Sequence, residues 1–274
     1  MDCPHCQSSD VSPLQRKTNL GYDMFRCKRC RRTFNEHTVA PFNFIEVPTD
    51  IIFQVLLCRV RYKLSYRDVA EFFLLRGFQF THETVRDWEG RFLPHFIEQI
   101  RTKRKGKVGK IGLIDETFIR VKGVWCYLYR GIDADGNLVD VRLSKTRDMA
   151  GTKAFFEQAI GLHEDAPDKV ATDGLASYPR AIEEALGKDT EHEVRPCTAN
   201  PVEQSHRPVK HRYYPTLGFG EFDAAQRFCR AVDEVGNFLR PQSQMAEYVS
   251  LFDRRQKFMK GVEELEALFL AAQK

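Results

Sequence analysis

Residues 111–144 read IGLIDETFIRVKGVWCYLYRGIDADGNLVDVRLS, and three successive strands can be read from them. The run 111–121 is apolar and strand-like, interrupted by Asp115 and Glu116. The run 124–132 is aromatic and β-rich. Asp135-Gly136 is the dipeptide that favours a tight hairpin turn, and 138–144 follows it as a third strand. Beyond this core, 148–160 reads as a helix that turns Ala154, Phe155 and Ala159 inward. A short strand at 169–172 ends in Asp173. A helix at 177–186, a brief strand at 192–194 and a helix opening over 202–213 complete the series.

The order β-β-β-α-β-α-β-α predicts an α/β domain of the ribonuclease-H-like kind, a mixed sheet with helices on both faces. Three acids fall on that order. Asp115 lies mid-strand in an apolar run, where an unpaired charge is costly, so a counter-charge or a metal is expected beside it. Asp173 ends the fourth strand, the edge at which α/β folds assemble ligand sites. Glu203 starts the helix after the fifth strand. Carboxylates on three elements can converge on two divalent cations, and hard oxygen donors suit Mg²⁺ or Mn²⁺. Taken singly, each acid has an ordinary alternative as a core carboxylate, a turn cap or a solvated helix residue. Glu116 competes with Asp115, but strand alternation places it on the opposite face. Asp133 and Asp135 fit a turn.

The 274 residues are long enough for about two domains, and 42% hydrophobic with 29% charged residues excludes a disordered or fibrous chain. No apolar run has the length of a membrane span, and the first residues lack the apolar stretch of a signal peptide, so a cytoplasmic protein with no membrane partner is expected. Charge is divided unevenly. Residues 1–110 hold 20 Lys+Arg against 12 Asp+Glu, a net +8, and the remainder 22 against 26, a net −4. A basic front half points to a polyanion partner.

Cys3, Cys6, Cys27 and Cys30 form two C-x2-C knuckles twenty residues apart, the spacing of a zinc ribbon. A disulfide pair or free thiols are the alternatives. Cys58, Cys126, Cys197 and Cys229 are scattered and suit core packing. Arg26, Lys28, Arg29, Arg31 and Arg32 surround the second knuckle, as solubilising charge or as phosphate contacts. Residues 49–98 read as helices. Ser65 caps one with Asp68 at its third position, and that helix turns Val69, Phe72 and Phe73 inward. Gly77 breaks it, and Thr81 caps the next, which runs to about Arg91 with Val85 and Trp88 inward. The pair resembles a helix-turn-helix with His82 and Arg86 toward DNA, although such pairs also serve as plain packing units. RTKRKGKVGK at 101–110 reads as a basic linker whose Arg101, Lys103, Arg104 and Lys105 could meet phosphate. The expected organisation is a zinc ribbon at 1–40, a helix-turn-helix region at 41–100, the linker at 101–110, a catalytic domain at 111–240 and a helical tail at 241–274.

Four stretches carry a resemblance: RYKLSYRDVAEFFLLRG, IDETFIRVKGVWCYLYRGIDADGNLVDVRLSKTRD, ATDGLASYPRAI and NPVEQSHRPVKHRYYPTLGF. Over residues 40 to 240 the chain resembles the DDE transposases of insertion sequence family six. The resemblance implies that Asp115, Asp173 and Glu203 are the catalytic, metal-holding acids. It also implies that Lys210, seven positions after the glutamate and on the same helix face, contacts the same DNA. It implies Mg-dependent cleavage at insertion-sequence ends and transfer of the freed 3′-hydroxyl into target DNA, by a homodimer that synapses two terminal inverted repeats. Ser205 stands where an aspartate is common, and the interval from Asp173 to Glu203 is short for the family. A non-catalytic zinc-ribbon DNA-binding regulator, or a nuclease without transfer, is the competing function.

Overall fold

A computed structural model describes the chain except residues 37, 39–41, 44, 105–108, 163–165, 196–200, 215–216, 245–246 and 272–274, with the backbone alone described at 201–204. The chain forms two units, Met1–Phe96 with Glu264–Lys274, and Ile97–Glu263. No helix among the described residues is long and apolar enough to cross a membrane.

The first unit opens with an antiparallel sheet of β1 (Val11–Lys17), β2 (Asp23–Cys27) and β3 (Thr33–Phe34). Its core is small: Cys3, Cys27 and Phe34 are buried, with Phe25 stacked on Phe34. Helices α1 (Thr49–Arg61), α2 (Tyr66–Leu74) and α3 (His82–Arg104) follow. At the start of α2, Ser65 Oγ accepts from Asp68 N (3.1 Å) and Asp68 Oδ2 accepts from Ser65 N (2.8 Å), a reciprocal cap. Gly77, at φ +84°, gives the left-handed residue that ends the helix, and Phe78 N then donates to Phe73 O. Val69 and Phe73 are buried as expected, but Phe72 is exposed and lies beneath the Arg76 guanidinium. Arg59 and Glu89 pair in the interior at 2.9 Å, and Tyr66 donates to the same carboxylate.

Two features of this unit were not expected. Helix α3 continues well past Arg91, because Phe92, Leu93, Phe96, Ile97 and Ile100 keep its apolar stripe going. Phe269, near the end of α8 (Leu251–Ala271), is buried among Phe42, Phe53, Phe92 and Phe96, with ring centroids 5.2–6.4 Å apart. A core built from both ends of the sequence means that residues 1–110 alone lack part of it.

The second unit is built on β4 (Leu113–Val121), β5 (Val124–Ile132), β6 (Leu138–Ser144), β7 (Lys169–Thr172) and β8 (Glu191–Val194). They lie side by side in the order β6-β5-β4-β7-β8, the first three antiparallel and the last two parallel to β4. Counted from β4 this is 3-2-1-4-5, the mixed sheet of the ribonuclease-H-like fold. On one face Ile114, Tyr129 and Val139 pack against α4 (Met149–Ile160) and α5 (Tyr178–Leu186) through Phe155, Phe156, Tyr178 and Ile182. The other face carries α6 (Pro201–Tyr213) and α7 (Phe222–Phe238), with Arg130 of β5 donating to Asp233 of α7 at 2.6 Å. In the 135–136 turn Asp133 Oδ1 accepts from the amides of Asp135 and Asn137, the turn role expected of it.

The expected linker is corrected at its start. Residues 101–104 are the last turn of α3. Arg101, 8% exposed, donates to Asp140 (2.6 and 3.2 Å) and to Glu234 (3.0 Å). Arg104 donates to Glu234 (2.7 Å) and to the carbonyls of Leu138 and Val139. Both guanidiniums are held by interior carboxylates and do not present a phosphate-binding face. Lys103 stays exposed, 5.2 Å from the Phe238 ring, and Lys105 lies outside the described residues. Burial alone would raise the Asp140 carboxyl, but the hydrogen bond and charge of Arg101 outweigh it and hold it below its usual value. Arg101→Ala should therefore destabilise the second unit by about 3–5 kcal/mol, because two buried carboxylates lose a partner. Urea unfolding measures this. An unchanged midpoint together with weakened DNA binding would instead return Arg101 to the DNA interface.

Candidate active site

Asp115 and Asp173 meet because of strand register. Leu113 of β4 pairs in parallel with Ala171 of β7, so the residues two further on, Asp115 and Asp173, stand at the same level. Strand β7 stops at Thr172. Gly174, at φ +87°, turns the chain away, and a Cβ there would lie 2.7 Å from Val194 Cγ1. Asp115 is 6% exposed. Its Oδ1 accepts from Glu116 N at 2.9 Å, and its Oδ2 lies 3.6 Å from Nε2 of the fully buried His206 on α6. Asp173 accepts from Leu175 N at 3.1 Å.

Glu116 belongs to this cluster, which corrects the expectation that alternation would keep it away. One carboxylate oxygen each from Asp115, Glu116 and Asp173 lies within 4.8 Å of the others. Alternation is obeyed, since Glu116 reaches Tyr178 of α5 while Asp115 approaches α6. Among the described residues no strand pairs with β4 between the end of β7 and the bridge of Val121 to Phe219, however, so carboxylates from opposite faces can approach around the open edge. Burial raises the Glu116 carboxyl, opposed by hydrogen bonds from Tyr178 (2.6 Å) and Arg147. Burial, then the neighbouring Glu116 charge, pushes the Tyr178 phenol well above its ordinary value. Arg147 donates to both Glu116 and Asp173, the latter at 3.3 Å. A guanidinium bridging two of three clustered carboxylates shows that the pocket favours positive charge. Hard oxygen donors at this spacing fit a divalent cation of the Mg²⁺ type.

Arg147, Tyr178 and His206 are the site residues that sequence reasoning missed. Position 203 lies in the first turn of α6, but the Glu203 side chain is outside the described residues. Lys210 lies on the same helix, partly buried.

A second cluster lies in the ribbon. Cys3 and Cys30 sulfurs are 3.6 Å apart, as are those of Cys6 and Cys27, and all four lie within 4.8 Å of one another. Four thiolates on a tetrahedral ion at ~2.3 Å would stand about 3.8 Å apart, whereas a disulfide requires ~2.05 Å. The donor set therefore fits a metal and not a cystine pair. On α3, His82 and Arg86 both reach Glu83, at 3.1 and 2.6 Å, and Arg86 remains exposed.

A family model described as a DDE domain matches residues 111–242. The transposase for insertion sequence-like element IS431mec of Staphylococcus aureus (strain N315) is 35% identical over 178 residues, covering 62% of this chain and 77% of that protein. The transposase for insertion sequence element IS257 in transposon Tn4003 of S. aureus matches to the same extent. Among solved structures, the HTLV-2 integrase catalytic core domain in complex with magnesium (dimeric form) is 21% identical, with a TM-score of 0.38 over 51% of this chain and 94% of that one. The simian T-cell lymphotropic virus intasome in complex with a PP2A regulatory subunit gives 16%, 0.36, and 57% and 56%. With a third of the aligned residues identical across most of the length of these relatives, and its acids at the matched domain's sheet edge, the chain belongs to the DDE transposases of insertion sequence family six.

Proposed function

We propose that this transposase cuts DNA at the ends of its insertion sequence and joins the freed 3′-hydroxyl to target DNA, with Asp115, Asp173 and Glu203 as its catalytic acids. The observation that carries the assignment is the convergence of Asp115 and Asp173 at the open edge between β4 and β7. Position 203 lies one helical turn ahead of His206, the residue that meets Asp115, which supports Glu203 as the third acid. Mg²⁺ or Mn²⁺ held by these carboxylates would activate water for the cut and the freed 3′-hydroxyl for the joining step, and offset the charge that builds on the phosphate. Arg147 must release Glu116 and Asp173 when a metal enters, and its guanidinium is then available to the DNA. Lys210, on α6, is assigned to the bound strand.

The four cysteines are assigned one structural Zn²⁺. The ribbon, with His82 and Arg86 on α3, is assigned to the terminal inverted repeats, and Lys103 to phosphate. Two ends must be held together, so the working form is a homodimer acting on DNA in the cytoplasm.

The test uses duplexes that carry the repeats flanking the gene. Full-length protein with Mg²⁺ should nick them at the element boundary and join the product to a supercoiled target. Binding without nicking would favour the regulator, and nicking without joining would favour a plain nuclease.

A further inference from the structure

The sheet carries an aromatic row whose outer end, Phe118 and Trp125, its core does not use. Glu116, Phe118 and Arg120 share one face of β4, and Tyr129, Tyr127 and Trp125 stand opposite them on β5. At the acid end the row is buried, with Tyr129 covered by Phe155 of α4. Toward the hairpin tip the strands outrun the helices, and Phe118 and Trp125 are 49% and 51% exposed. Their rings meet edge to face at 6.1 Å, and Phe118 also meets Tyr127 at 5.4 Å. Cations border the row. The Arg120 guanidinium lies 5.7 Å from the Trp125 ring, that of Arg147 lies 6.0 Å from Phe118, and Lys122 is exposed at the hairpin tip.

From Glu116 to Arg120 the row is about 13 Å long, and Arg147 joins it to the acid cluster, since the same guanidinium touches Glu116, Asp173 and the Phe118 face. We infer that Phe118 and Trp125, flanked by Arg120 and Arg147, form a stacking platform for unpaired nucleobases of the DNA strand entering the acid site. This rests on the function proposed above. Flat rings with guanidiniums between them match the two chemistries of a single strand, π-faces and phosphates. Bases stacked within a duplex offer no such face. The platform thus requires the few base pairs at the cut end to open, which also frees the backbone to bend toward the carboxylates.

The chain has two tryptophans, and Trp88 is 6% exposed, so quenching by a nucleobase reports on Trp125. Full-length protein is titrated with a short oligothymidylate and with an abasic oligonucleotide of equal length. The thymidylate should quench the emission and the abasic strand should not. Trp125→Phe should abolish the quench yet keep the affinity. The double variant Phe118→Ala, Trp125→Ala should lose about tenfold in affinity for a duplex with a single-stranded tail and nothing for a blunt duplex. Equal quenching by the abasic strand, equal losses on both duplexes, or conversion of a wild-type dimer to monomers by the double variant would each overturn the inference. The last would assign the face to a second copy of the chain. All readouts are of binding, so failure to cleave DNA leaves this result standing, and failure of stacking leaves the cleavage assay untouched.

Discussion

Asp115→Asn and Asp173→Asn are each expected to slow cleavage of an insertion-sequence end by roughly a thousandfold or more while leaving affinity for that end within about twofold. The magnitude follows from what the carboxylates supply. A metal at a phosphoryl centre contributes several kcal/mol of charge stabilisation, and each ~1.4 kcal/mol is a factor of ten in rate. Asparagine preserves size, and its carbonyl can still accept the Glu116 amide that Asp115 accepts now. Folding is therefore spared, and the missing charge alone is tested. Binding is expected to be spared because His82 and Arg86, the residues proposed to meet DNA, lie on α3, in a different unit from the acids. Single-turnover nicking and gel-shift titration on one protein preparation measure both quantities. Nicking by Asp115→Asn at more than a tenth of the wild-type rate would remove Asp115 from the metal site.

Removal of zinc should have the second large effect. The ribbon's core holds Phe34 and two of the cysteines themselves, Cys3 at 1% and Cys27 at 0% exposure, which is too little apolar burial to hold three short strands. A structural zinc supplies about 10–16 kcal/mol of binding energy at neutral pH in small ribbons and fingers. Cys27→Ser is expected to lose the metal, unfold residues around β1–β3 and weaken end binding at least tenfold, while the sheet of the second unit keeps its thermal transition. Metal analysis, amide dispersion of the ribbon and gel-shift titration follow the three consequences. Full affinity in a metal-free, Cys27→Ser protein would show that the ribbon is not part of the DNA-binding surface.

The catalytic sheet was legible in the sequence because its signals are local. Apolar runs of strand length, the Asp135-Gly136 turn and acids at run ends all lie within a few residues of one another. The convergence of Asp115 with Asp173 followed from strand order alone. What escaped depends on partners far along the chain. Arg101 and Arg104 read as phosphate contacts in a basic linker, because nothing near them announces Asp140 or Glu234. Helix α3 passes through Pro94, a residue that ordinarily interrupts a helix, and its extension is explained by the apolar stripe on which it packs. Glu116 was set aside by a correct alternation rule. The rule cannot show that β7 ends one residue short of Asp173 and leaves an edge around which two faces can meet. Arg147, Tyr178 and His206 reach the site from three helices or their flanks, and no spacing links them.

The burial of Phe269 among aromatic rings contributed by α1, α3 and the segment before α1 has a consequence for the order of synthesis. Ribosomes make the ribbon and helices α1 and α2 first, but the last ring of that unit's core emerges only after the whole of Ile97–Glu263 has been translated. At translation rates of about 5–20 residues per second, that is a delay of roughly 8–33 s. A nascent chain therefore completes the core of its first unit, the one proposed to hold DNA, only after its catalytic unit has been made. A chain that stops short of residue 264 is expected to lack the Phe269 ring from that core. The position of one phenylalanine thus sets when in synthesis the core of the first unit can close.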